Sequence, residues 1–285
     1  MNGRQQGVAL LSVLLVMSLA LLLTAGMLRS HQLMLQSSAR QIHQVQLRQW
    51  ALSAEAWALV TLAAANDEPS AVHLDQEWAR ITWPFETEGA RVSLVVEDLS
   101  GRFNINALLG SGQVDQVTLQ RWSRLLASQG LKPLDLKASG LVHERQELSQ
   151  LRLLPGVDGD VLRRLEPWVA LLPKEASLNI NTARPQVLRI LEGVSMPTAE
   201  ALVSQRPSGG YASVQAFTLD PLISGVGLSG HGLGTGSRWF RISVETSLGT
   251  SRLRLASEVE RDRKTGRWRV VQRRFLPPIL SEIPS

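Results

Sequence analysis

Histidine, serine and glycine residues can build catalytic and phosphate-binding sites, and this chain arranges them in no recognisable way. The five histidines are scattered along the sequence, at His31, His43, His73, His143 and His231. The sequence contains neither the His-Glu-x-x-His spacing of a zinc site nor the Gly-x-Ser-x-Gly turn of a hydrolase nucleophile. A glycine-dense run at 225–236 lacks the Gly-Lys-Ser/Thr ending of a phosphate loop. The sequence therefore predicts a protein that is not an enzyme.

Two carboxylates, Asp158 and Asp160, flank Gly159 and could contribute oxygen ligands to a calcium ion. Calcium takes about six to eight such ligands, and no complete binding loop surrounds this pair. Acidic residues at this spacing are also typical of the first turn of a helix, where they favour the helix dipole. We therefore expect no cofactor, and Asp158 and Asp160 are the candidates if calcium is bound.

The N-terminus joins a short polar leader to a long apolar run. Residues 1–7 carry Arg4 and end in Gly7, and residues 8–28 contain no formal charge. At about 1.5 Å per residue the run would span about 31 Å, which matches the hydrocarbon core of a bilayer. The alternatives are a leader cut after Gly7, an uncleaved signal anchor, and a secretory signal cut near residues 24–26. Only the first explains why Gly7 adjoins the apolar run.

An internal repeat marks the middle of the chain. Residues 151–158 read Leu-Arg-Leu-Leu-Pro-Gly-Val-Asp, and residues 188–195 read Leu-Arg-Ile-Leu-Glu-Gly-Val-Ser. Each copy predicts a helix, a tight turn and a second helix, and the turn residues are Gly156, Val157, Gly193 and Val194.

These turns resemble helix-hairpin-helix motifs. Members that bind DNA usually carry a second glycine after the hydrophobic residue, and their backbone N–H groups hold a phosphate. Here Asp158 and Ser195 occupy the second-glycine positions. The carboxylates of Asp158 and Asp160 would repel a phosphate, so we expect two structural hairpins and no nucleic acid.

The elements that position these motifs follow from periodicity. Residues 8–65 contain no proline and one glycine, Gly26, so a single helix of about 85 Å can extend beyond the apolar run. Its outer half is amphipathic and should pack on a globular domain through Leu35, Ala39, Ile42 and Val45, then Trp50, Ala54, Trp57 and Thr61. Alternating patterns predict strands at 81–86, 90–97, 102–105, 239–246, 251–261 and 268–275.

Between the two groups of strands the pattern is helical. A short helix at 72–79 precedes the first strands, and the predicted helices of the middle region lie at 116–129, 143–154, 158–172, 185–191, 197–205 and 213–219. The glycine-dense segment 222–236 should be a flexible connector. Strands on both sides of a helical block predict one sheet interrupted by an inserted helical domain.

Composition adds two constraints. The chain has no cysteine, so disulfides cannot stabilise it. Its formal net charge is only +5, but basic residues concentrate in 238–275. Such a patch could meet phosphates or an acidic partner, although a solvated strand face is the simpler interpretation.

Together with the leader, the long helix and the hairpins, two phrases complete a family pattern: Asp-Leu-Ser-Gly-Arg-Phe-Asn-Ile-Asn at 98–106 and Leu-Asn-Ile-Asn-Thr at 178–182. The chain resembles the type II secretion system minor pseudopilin K, or general secretion pathway protein K, family. The resemblance implies an α+β fold, with a pilin-like long N-terminal helix packed on an antiparallel sheet and a large all-α insert of helix-hairpin-helix (SAM-like) units. The expected divisions are the leader (1–7), the transmembrane and polymerisation helix (8–28), the pilin-like helix with the first strands (29–105), the helical insert with two helix-hairpin-helix-like repeats (106–236), and the C-terminal antiparallel strands with the tail (237–285).

The resemblance also implies a role. A prepilin peptidase would cut after Gly7 and leave Val8 as the methylated N-terminus of a single-pass inner-membrane protein whose C-terminal domain is periplasmic. The family's I and J minor pseudopilins and the inner-membrane secretion platform would be its partners. It would cap the pseudopilus tip and help initiate the fibre that exports folded proteins. Related pilins carry glutamate five residues after the cut, where this chain has Ser12.

Two alternatives remain open at this point. A membrane-tethered DNA receptor of the competence type also joins an N-terminal anchor to helix-hairpin-helix units. A minor pilin of a type IV pilus shares the leader and differs mainly by lacking the insert.

Overall fold

The computed structural model describes residues 3–65, 71–85, 89–108, 115–134 and 147–277. The α-helices in these ranges are α1 (Gly3–Ala65), α2 (Gln116–Ser128), α3 (Gly159–Leu165), α4 (Pro185–Leu188), α5 (Met196–Ser204) and α6 (Val214–Thr218). The strands are β1 (Ala90–Asp98), β2 (Phe103–Asn104), β3 (Val169–Ala170), β4 (Leu178–Asn179), β5 (Leu233–Gly234), β6 (Trp239–Leu248), β7 (Ser251–Arg261) and β8 (Trp268–Leu276). Short 3-10 helices lie at Glu77–Arg80, Leu99–Gly101, Ile105–Leu108 and Leu148–Leu153.

α1 is one unbroken helix that runs from the leader, through the apolar segment, to the globular part. Its 63 residues form a rod of about 95 Å. No proline interrupts the helix, so every turn keeps its backbone hydrogen bonds. The predicted continuous helix is confirmed, and its predicted end at 66–69 lies outside the described residues.

β1, β6, β7 and β8 form an antiparallel sheet in that order. β1 pairs with β6 along its whole length, from Ala90 opposite Leu248 to Asp98 opposite Phe240. The chain therefore leaves the sheet after Asp98 and returns on the neighbouring strand at Trp239. The predicted sheet with a helical interruption is confirmed, and so are the three C-terminal strands.

α1 packs on this sheet through a stripe of mainly small residues. Leu47, Ala51, Ala54, Ala58 and Leu62 are fully buried and lie three or four positions apart. Because alanine has no atoms beyond Cβ, the helix backbone can approach the sheet closely. Four of its members, Ala51, Ala54, Ala58 and Leu62, share one hydrophobic core with Leu94, Val96, Phe240, Ile242, Val244, Leu255 and Val259.

The predicted packing of the preceding turns of α1 is wrong. Leu35, Ile42 and Val45 are 57%, 58% and 59% exposed, and Ala39 is exposed as well. Contact with the sheet begins at Leu47, whose carbonyl accepts a hydrogen bond of 3.3 Å from Thr246 Oγ1 near the end of β6. An apolar periodicity shows that a helix face needs a partner, but not which partner.

The strand predicted before β1 is also wrong, since residues 81–85 form no strand. The ring of Phe85 contacts Trp83 at 4.9 Å and Trp57 of α1 at 5.8 Å, both edge to face. Pro84 has no amide hydrogen to donate to a ladder. Aromatic contacts with α1 therefore hold a segment whose composition suggested a strand.

The region between β1 and β6 has a core of its own, which contains Trp122, Leu125, Leu165, Leu188 and Phe217. Two short parallel pairs, β2 with β3 and β4 with β5, lie in this region beside the helices. The α+β fold is confirmed. β2 lies within the strand predicted at 102–105, whereas β3, β4 and β5 were not part of the predicted all-α insert.

The segment 222–236 is packed, contrary to the predicted flexible connector. Ile223 and Leu233 are 1% and 7% exposed. The amide of Leu178 donates to Gly232 O at 2.8 Å, and that of Ile180 donates to Gly234 O at 3.0 Å. Its glycines allow a tight path rather than mobility.

Several predicted helices are shorter in the structure. The helix predicted at 158–172 ends at Leu165, as α3, because Pro167 disfavours helical backbone in the residue before it. Residues 169–170 form β3 instead of helix. In place of the helix at 143–154 there is 3-10 helix at Leu148–Leu153, and 143–146 lie outside the described ranges. The helix predicted at 72–79 is a 3-10 turn, Glu77–Arg80.

Replacing Ala54 with leucine tests the close approach of α1 to the sheet. The larger side chain would enter space that the sheet already fills, so we expect Ala54→Leu to lower the free energy of unfolding by about 1–3 kcal/mol. Ala39→Leu, on an exposed turn of the same helix, should change it by no more than about 0.5 kcal/mol. Urea unfolding of the full chain in non-ionic detergent measures both. Equal effects would contradict close packing at Ala54.

Candidate functional site

The predicted processing residues lie near the start of α1. Gly7, Val8 and Ser12 all fall within its helical backbone. The apolar side chains that follow point away from the protein, with Leu22 and Met27 exposed by 70% and 77%. In the described part of the chain, α1 is the helix long and apolar enough to cross a membrane: a stretch within Val13–Ala64 has a mean hydropathy of 2.0, and none of it is buried.

The exposed apolar surface of α1 continues past the predicted membrane span. Leu35 and Ile42 lie seven residues apart on one helix face, and Val45 extends that face towards the globular part. A surface of this shape suits contact with another helix. The same side chains that we expected to pack on the sheet are therefore available to a neighbouring subunit.

In the first hairpin turn, a side chain of the turn itself accepts hydrogen bonds from the backbone amides that start the next helix. Gly156 has a positive φ of 81°, and Val157 is 8% exposed. Asp158 caps α3, since its Oδ1 accepts hydrogen bonds of 2.9 Å from the amides of Asp160 and Val161. The hydrogen bond from Val161 holds the pKa of Asp158 below its ordinary value.

Asp160 is also engaged, because it pairs with Arg163 at 3.0 Å. The alternative of an acidic pair at a helix start therefore describes Asp158 and Asp160 better than the calcium site. Within the described ranges no group of three or more histidines and acidic residues is placed to hold a metal ion. The two carboxylates stay weak candidates for calcium.

The second hairpin turn is covered by another part of the chain. Gly193 has a φ of 70°, Val194 is 7% exposed, and Ser195 Oγ accepts from the Thr198 amide at 3.3 Å to cap α5. A Cβ atom at Gly193 would lie 2.6 Å from Cβ of Val226. Glycine is therefore required here both by φ and by the close approach of the segment 222–236.

Arg121 holds that segment in place, and sequence reasoning missed it. Its guanidinium donates to both carboxylate oxygens of Glu192, at 3.0 and 2.9 Å. It also donates to His231 O at 2.6 Å and Ser229 O at 2.9 Å. Burial raises the pKa of Glu192, but the hydrogen bonds and charge of Arg121, a backbone hydrogen bond and the charge of Arg124 together lower it below its ordinary value. The signal available in the sequence was an arginine next to Trp122, on the face of α2 that turns inward.

The two phrases 98–106 and 178–182 meet at the buried carboxyl of Asp98. Its Oδ1 accepts from the Ser100 amide at 2.8 Å. Its Oδ2 accepts from Asn179 Nδ2 at 2.7 Å and from Thr182 Oγ1 at 2.6 Å. Gly101 allows this approach, because a Cβ there would lie 2.8 Å from Thr182 Oγ1.

Burial raises the pKa of Asp98 above its ordinary value, and the hydrogen bonds from Ser237, Thr182, Asn179 and Ser100 offset this only in part. Each of these four groups can donate, and a carboxylate can only accept. The four donors therefore reduce the cost of burying this carboxyl group. A second carboxylate, Glu97, adds an ion pair of 3.1 Å with Arg184, two residues beyond the second phrase.

Asparagine side chains in the same phrases form hydrogen bonds with backbone groups, in the way that a neighbouring strand would. Asn104 Oδ1 accepts from the Leu172 amide at 3.1 Å, and its Nδ2 donates to Pro173 O at 2.9 Å. Asn181 does the same with one residue: it accepts from Tyr211 N at 2.7 Å and donates to Tyr211 O at 3.0 Å. These side chains satisfy buried backbone groups where strand pairing stops.

The basic residues of 238–275 are largely neutralised on the sheet surface. Glu258 pairs with Arg241 at 2.8 Å and with Arg274 at 3.0 Å. Arg273 pairs at 2.9 Å with Glu55, a buried residue of α1. These pairs favour the simpler interpretation, a solvated strand face, for most of the patch.

Comparisons with known proteins agree with the resemblance drawn from the two phrases. The sequence model of the family described as "Type II secretion system (T2SS), protein K" matches residues 178–235. A type II secretion system protein K from Pseudomonas aeruginosa is 32% identical, with 96% of this chain and 93% of that protein covered. The chain belongs to the type II secretion system protein K family. It therefore takes part in type II secretion as a minor pseudopilin.

Other members support the assignment. A type II secretion system protein K from Klebsiella pneumoniae is 27% identical, with 96% of this chain and 98% of that protein covered. A chain in the solved GspK-GspI-GspJ complex from the type 2 secretion system of enterotoxigenic Escherichia coli has a TM-score of 0.71 and 21% identity. The alignment covers 85% of this chain and 100% of that chain, which confirms the fold.

The segment that matches the protein K family model is the one that the contacts above hold together. Residues 178–235 contain β4, α4, α5, α6 and β5. They include the Asp98 partners Asn179 and Thr182, the second hairpin, and the packed glycine-dense segment. Membership in this family favours secretion over the DNA-receptor and type IV pilus alternatives.

Exchanging Asp98 for asparagine tests the junction in this protein K chain. The shape is kept, but an NH2 group would face donors, so we expect Asp98→Asn to lower the free energy of unfolding by about 2–3 kcal/mol. Asp160→Asn, the same change in an exposed ion pair, should cost no more than about 1 kcal/mol. Urea unfolding measures both, and hydrogen exchange at residues 179–183 gives a local reading. A loss as small as that of Asp160→Asn would show that the junction does not depend on the carboxylate.

Proposed function

We propose that this protein caps the tip of the periplasmic pseudopilus and helps to initiate its assembly. The observation that carries the proposal is the combination of a pilin-like helix, α1, with a bulky region inserted between β1 and β6. Neighbouring subunits in a fibre must pack side by side along their helices. A region with its own core would obstruct that packing inside the shaft but not at the end.

The N-terminus is proposed to be processed before assembly. Cleavage after Gly7 would leave Val8 at the start of the membrane-spanning part of α1, with a methylated amine. The remaining helix would anchor the protein once in the inner membrane and place residues beyond about 28 in the periplasm. The exposed apolar surface of α1 supports both membrane insertion and later contact with other helices.

Ser12 supports an outermost position. In related pilins the resemblance implies that a buried glutamate pairs with the N-terminal amine of the preceding subunit, since a charge at this depth is costly unless paired. A subunit with Ser12 cannot offer that carboxylate. Its own Val8 amine can still pair with the carboxylate of the next subunit. Such a subunit can therefore be the first in the fibre, with others added behind it, but it cannot be added behind another subunit.

The proposed partners are the I and J minor pseudopilins and the inner-membrane secretion platform, with prepilin peptidase as the processing enzyme. The solved relative was crystallised as a GspK-GspI-GspJ complex. The exposed face of Leu35, Ile42 and Val45 offers a surface on which the helix of such a partner could pack. Its role would be mechanical, to start and end a fibre that moves folded cargo outward.

The mature N-terminus can be measured directly. Mass spectrometry of the protein purified from membranes should find a chain that starts at Val8 and carries one methyl group. A strain without prepilin peptidase is the control and should yield the chain with its leader. A mature start at Met1 or Met27 in the presence of the peptidase would contradict the proposed processing.

The register argument is tested by Ser12→Glu. This change restores the carboxylate, so we expect the variant to be found in the shaft of sheared pseudopili more often than the parent. Ser18→Glu places the same charge at another depth of α1 and should not enter. Because the inserted region by itself would obstruct packing in the shaft, the comparison is repeated in a chain where a tight turn replaces residues 99–239. This turn would join Asp98 to Phe240, which are paired in the sheet. If Ser12→Glu enters no more readily than its parent in both backgrounds, the argument from Ser12 fails.

A further inference from the structure

A cleft of about 520 Å³ lies where the helical region meets the end of the sheet. Its walls come from the start of β6, the end of β7 with the following turn, and the segment before β4. Arg238, Arg261 and Arg263 line it together with Trp239 and the glycines of the segment 222–236. This volume is within the range of about 300–1,000 Å³ that is typical of ligand sites.

Arg238 is the most constrained of the three cations. Its guanidinium lies over the ring of Trp239, 4.5 Å from the centroid, and its side chain is 22% exposed. Burial lowers the pKa of Arg238, and the like charge of Arg263 lowers it further. The exposed Arg263 thus adds a second positive charge to the cleft that the partly buried Arg238 lines, which favours a bound anion.

The nearby carboxylates compensate these cations only in part. Glu260 lies 3.9 Å from Arg238, but its other oxygen pairs with Arg269 at 2.6 Å. Asp262 Oδ1 accepts from the amides of Lys264 and Thr265 and from the Thr265 hydroxyl, at 2.7–3.0 Å, so its charge is held within its own turn. Glu175 is exposed at the rim. This basic cleft differs from the sheet surface, where Glu258 alone pairs with both Arg241 and Arg274.

The cleft suits a chain more than a single ion. Gly236 leaves open space on its floor, because a Cβ there would meet no atom within 4 Å. Ala71 and Ala176 add small apolar walls beside the charges. A planar guanidinium fixed on an aromatic ring presents its paired N–H groups in the geometry that matches a carboxylate.

We propose that this cleft binds an acidic peptide segment of another protein, through carboxylates that reach Arg238 and Arg263. The proposal does not rest on a position at the fibre tip, because binding of a peptide is measured on the isolated chain. The tip proposal can fail while this one holds, and the reverse is also true.

The test uses the full chain in non-ionic detergent and a fluorescein-labelled hexaglutamate peptide, followed by fluorescence anisotropy. We expect saturable binding that weakens as salt rises and that hexaglutamine does not show. Arg263→Glu reverses a charge of the cleft and should weaken binding by about tenfold or more, since opposed like charges are unfavourable. Both Arg263 and its control are exposed, so neither change should disturb folding.

Arg267→Glu is the matched control, with the same change in net charge four positions along the chain and outside the cleft. It should leave the affinity within about twofold. An equal loss in both variants would show general electrostatic attraction and overturn the site, as would no binding of hexaglutamate to the parent. Displacement of the peptide by inorganic phosphate, at an ionic strength where chloride has no effect, would show a simple anion site and overturn the assignment to a peptide.

Discussion

The buried carboxyl of Asp98 is the contact on which the arrangement of this molecule depends. It ends β1, at the point where the chain leaves the sheet, and it is held by Asn179 and Thr182 on the far side of the helical region. Asn179 Nδ2 also donates to Val72 O at 3.0 Å, beyond the end of α1. One charged group thus joins the segment after the long helix, the sheet and the helical region.

This contact determines more than stability. Two regions joined only by linkers would be expected to move relative to each other. Here a charge that cannot stay buried without its donors fixes the orientation of the helical region on the pilin-like part. The ion pair of Glu97 with Arg184, at 3.1 Å, adds a second link beside it.

The sequence was informative where structure depends on local rules. The absence of proline predicted α1, and alternation predicted β6, β7 and β8. It was misleading where a distant partner decides. The exposure of Leu35 and Ile42 depends on where the sheet ends along α1. The non-strand path of residues 81–85 depends on contact with Trp57, and the path of the glycine-dense segment 222–236 depends on hydrogen bonds from Arg121. The two phrases identified the family, but nothing in either one showed that they contact each other through Asp98.

At the two hairpin turns, side chains take the place that a phosphate takes in DNA-binding hairpins. A helix start leaves backbone N–H groups that need an acceptor. In DNA-binding hairpins a phosphate supplies it. Here Asp158 supplies it to the amides of Asp160 and Val161, and Ser195 supplies it to Thr198. A phosphate could bind at the first turn only by displacing a carboxylate that two amides already hold, so the residue that replaced the second glycine both stabilises the helix and closes the site.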